Sequence, residues 1–139
     1  MNTSQLPLIV SENALGRYQQ TVSVGRHQLT ADEPVAAGGD DAGLSPFDLL
    51  LAGLGACTSM TLRMYAERKG LDLTRISVAL RHEKIDVEGQ GQIDHIERII
   101  TLDGALSLEQ RQRLLEIANK CPVYRTLHSD IQIDSRIAG

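Results

Sequence analysis

The sequence predicts an α+β fold in which antiparallel sheets pack around one long central helix. Apolar and polar residues alternate in several short segments, which is typical of half-buried strands. One long segment instead has helical spacing and carries both a start and a stop signal. The chain has 139 residues, a common size for a single domain. We therefore expect one domain over residues 1–139.

The first predicted element is a β-hairpin over residues 18–30. Its turn lies at Gly25-Arg26, which separates two alternating segments. The apolar members of these segments are Val22, Val24 and Leu29. Residues 36–43 are rich in glycine and aspartate, a composition that predicts a loop ahead of the main helix.

The long helix has clear signals at both ends. Ser45 is suited to the N-cap, Pro46 to the first helical position, and Asp48 to the first turn, where a carboxylate opposes the helix dipole. We expect the helix to run to about Lys69. Gly70 then supplies the left-handed stop.

One stripe of this helix is apolar and small, and we expect it to face the core. It comprises Leu50, Gly53, Leu54, Cys57, Thr61 and Met64. Cys57 should therefore be buried. Gly53 and Gly55 each cost a helix about 1 kcal/mol relative to alanine, which favours close packing of another backbone at these positions.

The second half of the chain predicts a hairpin, a helix and a strand. Alternation at residues 76–80 and 96–102, on either side of Gly89-Gln90-Gly91, indicates the hairpin. Ser107 and Gln110 have the spacing of a capping box and begin a helix that should end near Lys120. The alternating isoleucines of residues 131–137 predict a closing strand.

Charge and composition argue against several classes of function. The net charge is −4, and no cluster of lysines and arginines offers a nucleic-acid surface. The longest uncharged apolar run, residues 49–57, is too short to span a bilayer, and no signal segment is evident, so we expect a cytoplasmic protein without membrane contact. The histidines and cysteines lack metal-ligand spacing and no phosphate-binding loop follows a strand, so we expect no metal and no cofactor.

The two cysteines are the best candidates for chemistry, because a pair of thiols can form a transient disulfide. Taken alone, Cys57 is more typical of a small core residue than of a nucleophile, since burial raises a thiol pKa. A cation would have to offset that burial. Arg17, which we expect in a strand segment, and Arg26, at the hairpin turn, are both candidates, and the local pattern does not distinguish them.

Cys121 has a different local setting. Pro122 suits the first position of a new helix, which would make Cys121 the N-cap. Thiolates are stabilised at helix N-termini, so local chemistry alone favours Cys121 as the more acidic thiol.

Together these features resemble the OsmC/Ohr family, the osmotically induced protein C and organic hydroperoxide resistance proteins. The resemblance extends from Gly16 to Ile137, and the cysteines have the family's separation of 64 positions. The motifs that carry it are Gly38-Gly39, Ser45-Pro46-x-x-Leu49-Leu50, Ala56-Cys57-Thr58 and Cys121-Pro122-Val123.

The resemblance implies an OsmC-like fold, assembled as a domain-swapped homodimer with two sites at the interface. It implies a thiol-dependent peroxidase that acts on organic hydroperoxides or hydrogen peroxide in an antioxidant stress response. Cys57 would attack the peroxide and become a sulfenic acid, Cys121 would resolve it as a disulfide, and an external dithiol would reduce that disulfide. The family's arginine falls on Arg17, which would activate Cys57.

One position departs from the family's pattern. Characterised peroxidases of the family have a glutamate ten positions before the helix cysteine, and this chain has Phe47. Asp48 lies on the opposite side of the helix from Cys57 and does not replace it. The chain thus resembles the broader OsmC-like branch, with Phe47 and Leu54 expected in the substrate pocket. The alternatives are a binding module for a small apolar or thiol ligand with little peroxidase activity, and a structural dimer with inert thiols.

Overall fold

The computed structural model of the protein describes residues 6–139 and confirms the α+β class, with two antiparallel sheets and one long helix. The chain divides into two compact units, one ending at Leu50 and the other spanning Leu51–Gly139. One domain over residues 1–139 remains a prediction. The elements are β1 (Ile9–Glu12), β2 (Gln20–Val24), β3 (His27–Ala31), α1 (Pro46–Lys69), β4 (Leu73–Val87), β5 (Gly91–Gly104), α2 (Leu108–Ala118) and α3 (Pro122–Leu127).

The first unit contains a three-stranded antiparallel sheet in the order β1-β2-β3. The predicted hairpin is confirmed, since β2 and β3 pair with Val24 opposite His27 across the turn. The sequence analysis missed β1, which pairs with β2 through Val10 opposite Val22. The placement of Arg17 in a strand was wrong, because Arg17 lies in the bend between β1 and β2.

The loop after β3 is organised around Asp32, which is 2% exposed. Its carboxylate accepts hydrogen bonds from the backbone N–H groups of Glu33, Asp40 and Ala42 at 2.8–3.1 Å. A short 3-10 helix, Val35–Ala37, interrupts the segment that was expected to lack regular structure. The loop is thus held by one buried side chain.

The long helix α1 begins and ends where the sequence predicts. Ser45 Oγ accepts the N–H of Asp48, whose carboxylate accepts the N–H of Ser45, both at 3.2 Å. At the other end Gly70 has a φ of 64°, the left-handed conformation that glycine adopts readily.

The buried stripe of α1 is rotated by about one residue from the predicted one. Its fully buried members are Leu54, Thr58, Leu62 and Ala66. Cys57 is only half-buried and Met64 is exposed, so the expectation that Cys57 is buried was wrong. One residue corresponds to a turn of about 100° around the helix axis. Cys57 therefore lies at the border of the stripe.

The two helix glycines differ in their surroundings. A Cβ atom at Gly55 would lie 2.8 Å from Leu80 Cδ1, so a side chain of β4, and not another backbone, packs closely there. A Cβ atom at Gly53 would meet nothing within 4 Å in the described chain. The expected close backbone packing is not found in this chain at either position.

The second unit is built on the predicted hairpin, in which β4 and β5 pair from Leu73 opposite Gly104 to Val87 opposite Gly91. The apolar side chains of this hairpin join α1 and α2 in one core. Its buried members are Leu62, Leu114, Ile117 and Ala118, and Tyr65, Leu71, Ile76, Ile100, Leu102 and Leu106 pack against them.

The two short helices also agree with their sequence signals. Ser107 and Gln110 form the predicted capping box at the start of α2. The helix ends at Ala118, close to the predicted end. Cys121 is the N-cap of α3, with Pro122 at the first helical position, as predicted.

The predicted closing strand is absent, because residues 131–137 have no regular structure in the described chain. Its isoleucines are exposed, with Ile137 at 96%. A strand needs the edge of another strand to satisfy its backbone groups, and this segment has no paired edge in the described chain.

By length and composition α1 qualifies as a helix that could cross a membrane, which the analysis of residues 49–57 did not anticipate. Core helices of water-soluble proteins have the same property. Four residues of α1 are buried within the chain.

The Asp32 cluster predicts a pH-dependent stability. The pKa of Asp32 is lowered, chiefly by the hydrogen bond from the backbone N–H of Ala42. The ionised carboxylate therefore stabilises the fold above the pKa that Asp32 has in the unfolded chain. This stabilisation is lost as the pH falls through the pKa of the folded state. We expect Asp32→Asn to reduce the free energy of unfolding at neutral pH, and the difference from wild type to vanish in acid. Denaturant unfolding at several pH values measures it, with Asp130→Asn on the exposed segment as control. A difference independent of pH would contradict this assignment.

Candidate functional site

The structure brings the two cysteines together. Cys57 in α1 and Cys121 at the start of α3 are both free, and they lie near enough for Cys121 to influence the pKa of Cys57. Cys57 is half-buried and Cys121 is completely buried. The expectation that the fold joins the two thiols is thus confirmed.

The surroundings of Cys57 act on its pKa in both directions. Burial raises the pKa of the thiol, and contact with the Cys121 thiol raises it further. The backbone N–H of Val123 and the side chain of Thr61 hydrogen-bond to the sulfur and lower the pKa. The net direction is upward, so an additional cation would be needed to favour the thiolate.

Cys121 is held at the junction of α2 and α3. Its Sγ accepts the backbone N–H of Tyr124 at 3.3 Å, which is the N-cap interaction of α3. Its backbone N–H donates to the carbonyl of Ala118, the last residue of α2. These contacts fix the sulfur between the two helices.

Thr58 lies between Cys121 and the body of α1. Its hydroxyl donates to the carbonyl of Leu54 at 2.7 Å, and its Oγ1 lies 4.0 Å from Cys121 Sγ. Thr58 is completely buried and Leu54 is 4% exposed. Leu54 is therefore linked to Thr58 through its backbone carbonyl, while its predicted role in a substrate pocket remains a prediction.

The sequence analysis missed Arg98, the cation beside this cluster. Arg98 Nη1 donates to Thr58 Oγ1 at 3.0 Å, and the guanidinium stacks 4.7 Å from the centre of the Tyr124 ring. A signal for it exists in the sequence. Arg98 stands at an apolar position of an alternating strand, between Ile96 and Ile100.

The two arginines considered from the sequence, Arg17 and Arg26, both belong to the unit that ends at Leu50. Arg17 is exposed, and its guanidinium lies 5.0 Å from the centre of the Tyr18 ring. Cys57 belongs to the other unit, so activation of Cys57 by Arg17 remains a prediction.

Phe47 lies in the first turn of α1 and is 53% exposed. With Pro46 and Leu50 it lines a shallow apolar depression. Phe47 is thus suited to an apolar contact, and its place in a substrate pocket remains a prediction.

No group of three metal-binding side chains occurs among residues 6–139. His82 Nε2 contacts Asp94 Oδ1 at 2.8 Å, and this pair is not part of a larger group of metal-binding side chains in the described chain. The described site consists of thiols, a hydroxyl and a guanidinium, which suits thiol chemistry.

Several solved structures share this fold. They include the organic hydroperoxide resistance protein OsmC of Legionella pneumophila, at 18% identity and a TM-score of 0.68, with 91% of each chain covered. That of Elizabethkingia anophelis, solved with thiocyanate bound, has 19% identity and a TM-score of 0.70, with 94% of this chain and 93% of that chain covered. OhrB of Bacillus subtilis has 17% identity and a TM-score of 0.65, with 93% and 94% covered.

Sequence comparison gives the family directly. No curated protein matches the chain in sequence. Residues 38–136, which include both cysteines, Thr58 and Arg98, match the family described as OsmC, OsmC-like protein. The chain therefore belongs to the OsmC family of OsmC-like proteins.

Proposed function

We propose that the protein is a thiol-dependent peroxidase that reduces organic hydroperoxides or hydrogen peroxide. The observation that supports this most is that a half-buried thiol, Cys57, lies near a completely buried thiol, Cys121. A peroxide can reach the first, and the second is in place to resolve the oxidised product. The named relatives, which are organic hydroperoxide resistance proteins, agree with this chemistry.

The reaction proceeds in two steps on the protein. The Cys57 thiolate attacks the outer oxygen of the peroxide and the O–O bond breaks. The alkoxide or hydroxide that leaves takes up the proton that Cys57 released on ionising, and departs as an alcohol or water. Cys57 is then a sulfenic acid. Cys121 attacks its sulfur, hydroxide leaves and takes the Cys121 proton as water, and a disulfide forms. An external dithiol reduces the disulfide and restores both thiols.

Arg17 would supply the cation that Cys57 needs, because burial raises the pKa of this thiol. A guanidinium beside the sulfur would favour the thiolate and would also orient the peroxide by hydrogen bonds. Phe47 and Leu54 would line an apolar pocket, which suits the alkyl part of an organic hydroperoxide.

We place this reaction in a homodimer in the cytoplasm. Exposed apolar residues follow one another along α1, and a second copy would remove them from water. They are Phe47, Leu50, Met60 and Met64. A reducing compartment agrees with two cysteines that are both free.

One equivalent of cumene hydroperoxide should remove both thiols of the reduced wild-type protein within seconds. Intact mass and free-thiol count measure this, because a disulfide lowers the mass only by its two hydrogens. Cys57→Ser should consume no peroxide, and Cys121→Ser should accumulate a sulfenic acid that a dimedone probe traps. Retention of both thiols in wild type would overturn the peroxidase proposal in favour of a ligand-binding role.

Arg17→Gln should slow peroxide consumption by about tenfold at neutral pH, since a neighbouring cation shifts a thiol pKa by at least about one unit. Arg26→Gln is the matched control, because Arg26 lies in the β2–β3 turn of the same unit. The second-order rate constant for peroxide, measured by stopped flow, distinguishes the two variants. Equal rates for Arg17→Gln and wild type would remove Arg17 from the site.

Gly53→Ala tests the homodimer. In the described chain a Cβ atom at this position has open space, so alanine alone should stabilise α1 by about 1 kcal/mol. If the partner's α1 face packs here, the added methyl group should instead weaken the dimer, which analytical ultracentrifugation detects. A higher melting temperature with an unchanged dimer, or a monomeric wild type, would contradict the proposed interface.

A further inference from the structure

Arg98 occupies an unusual position for a charged residue. It lies in β5 on the same face as Ile100 and Leu102, which pack against the buried core. Its side chain is half-buried. A charge in such a place is costly unless hydrogen bonds compensate for the lost water, so the partners of its guanidinium are informative.

Those partners come from three helices. Nη1 donates to Thr58 Oγ1 in α1 at 3.0 Å and to the carbonyl of Ala118 at the end of α2 at 3.1 Å. Nη2 donates to Asn119 Oδ1 at 2.5 Å. The Tyr124 ring of α3 covers the guanidinium at 4.7 Å. The planar, forked guanidinium can hold all these groups at once, which a lysine ammonium cannot do as well.

These partners surround Cys121. Asn119 is two residues before it and caps α2, and Tyr124 is three residues after it and donates its N–H to the Cys121 sulfur. Arg98 therefore contacts Asn119 before Cys121, Tyr124 after it, and Thr58, the α1 residue next to Cys57.

Thr58 completes the arrangement because two of the three hydrogen bonds that its hydroxyl can make are fixed by Leu54 and Arg98. A hydroxyl donates one hydrogen bond and accepts two. Thr58 donates to the Leu54 carbonyl and accepts from Arg98, which leaves one lone pair for the thiol of Cys121 at 4.0 Å. The donor from Arg98 thus fixes the hydroxyl so that its remaining lone pair is available to Cys121.

We propose that Arg98 is a positioning residue that, through Thr58, Asn119 and Tyr124, holds the Cys121 sulfur against Cys57 for disulfide formation. This rests on the proposed function. In the step concerned, a lone pair of Cys121 forms the S–S bond to the Cys57 sulfenic acid. The S–O bond of that acid breaks, and the hydroxide that leaves takes the Cys121 proton as water. The sulfur of Cys121 is oxidised and that of Cys57 is reduced.

The first test measures disulfide formation without peroxide. Reduced protein is equilibrated with mixtures of reduced and oxidised dithiothreitol, and the equilibrium constant for the Cys57–Cys121 disulfide is obtained from the free-thiol count. We expect Arg98→Gln to lower the equilibrium constant for disulfide formation by about tenfold. This is the effect on an equilibrium of losing one hydrogen bond from a charged donor. Arg98→Lys should recover part of that loss. An equilibrium constant unchanged in Arg98→Gln would overturn the proposal.

Arg63→Gln is the matched control for this measurement. Arg63 is also a half-buried arginine of the second unit, and it donates to the carbonyl of Leu73 at 2.7 Å, away from both cysteines. It should leave the disulfide equilibrium as in wild type. An equal shift in Arg63→Gln and Arg98→Gln would attribute the effect to general loosening and overturn the proposal.

A pair of Thr58 variants decides the matter if Arg98→Gln does not fold. Thr58→Ser keeps the hydroxyl, whereas Thr58→Val keeps the shape and removes it. We expect oxidised dithiothreitol to form the disulfide in Thr58→Ser at a rate close to wild type, and to form it more slowly in Thr58→Val, because the Cys121 sulfur is then less well positioned. The same rate in both variants would contradict the role of the hydroxyl.

The second test separates the two steps of the peroxidase. With one equivalent of cumene hydroperoxide, Arg98→Gln should lengthen the lifetime of the Cys57 sulfenic acid about tenfold and slow its formation much less. Equal slowing of both steps would contradict a positioning role. If wild type forms no sulfenic acid, the peroxidase proposal fails, while the dithiothreitol equilibrium still tests Arg98.

Discussion

The packing of α2 against α1 is the constraint on which the site depends. Leu62 of α1 and Leu114, Ile117 and Ala118 of α2 form the buried core of the second unit. Because α2 ends at Ala118, Cys121 follows directly at the turn into α3. Thr58 lies one helical turn before Leu62, at the level where α2 ends. The core contact thereby brings Cys121 near the Cys57-Thr58 segment, and Arg98 of β5 bridges the two.

The position of the buried stripe on α1 gives the two thiols different exposure to solvent. Thr58 is at the centre of the buried stripe and Cys57 at its border, so Cys57 keeps access to solvent while Cys121 is enclosed. Had Cys57 been at the centre, as the sequence analysis expected, a peroxide would have had no route to it. A half-exposed nucleophile and an enclosed resolving thiol suit the order of the proposed reaction, because only the first thiol must meet a substrate.

Local signals in the sequence were sufficient for the helices and insufficient for the site. The caps at Ser45, Ser107 and Cys121 depend on residues within a few positions of one another, so the ends of the helices were predictable. Both cysteines were candidates from the sequence itself, and the family resemblance supplied their expected order in the reaction. Arg98 was not found, since its partners are 20 to 40 positions away and only the folded chain brings them together. The prediction of a strand at residues 131–137 was wrong for a related reason. Alternation of apolar residues shows that a segment could form a strand, but not whether another strand is available to pair with it.

The start of α3 binds both sulfurs, and this affects the balance between the thiols and the disulfide. The backbone N–H of Val123 hydrogen-bonds to Cys57 and that of Tyr124 to Cys121. Such donors interact more strongly with a negatively charged sulfur than with a neutral one. Reduction of the disulfide releases a thiolate, and these two donors stabilise the sulfur that takes up this negative charge. A disulfide whose reduced form is stabilised in this way is more readily reduced. A catalytic disulfide needs this property because it must be reduced in every cycle, whereas a structural disulfide does not. In the reaction we propose, the external dithiol would attack the sulfur of Cys57, since Cys121 has no exposed surface.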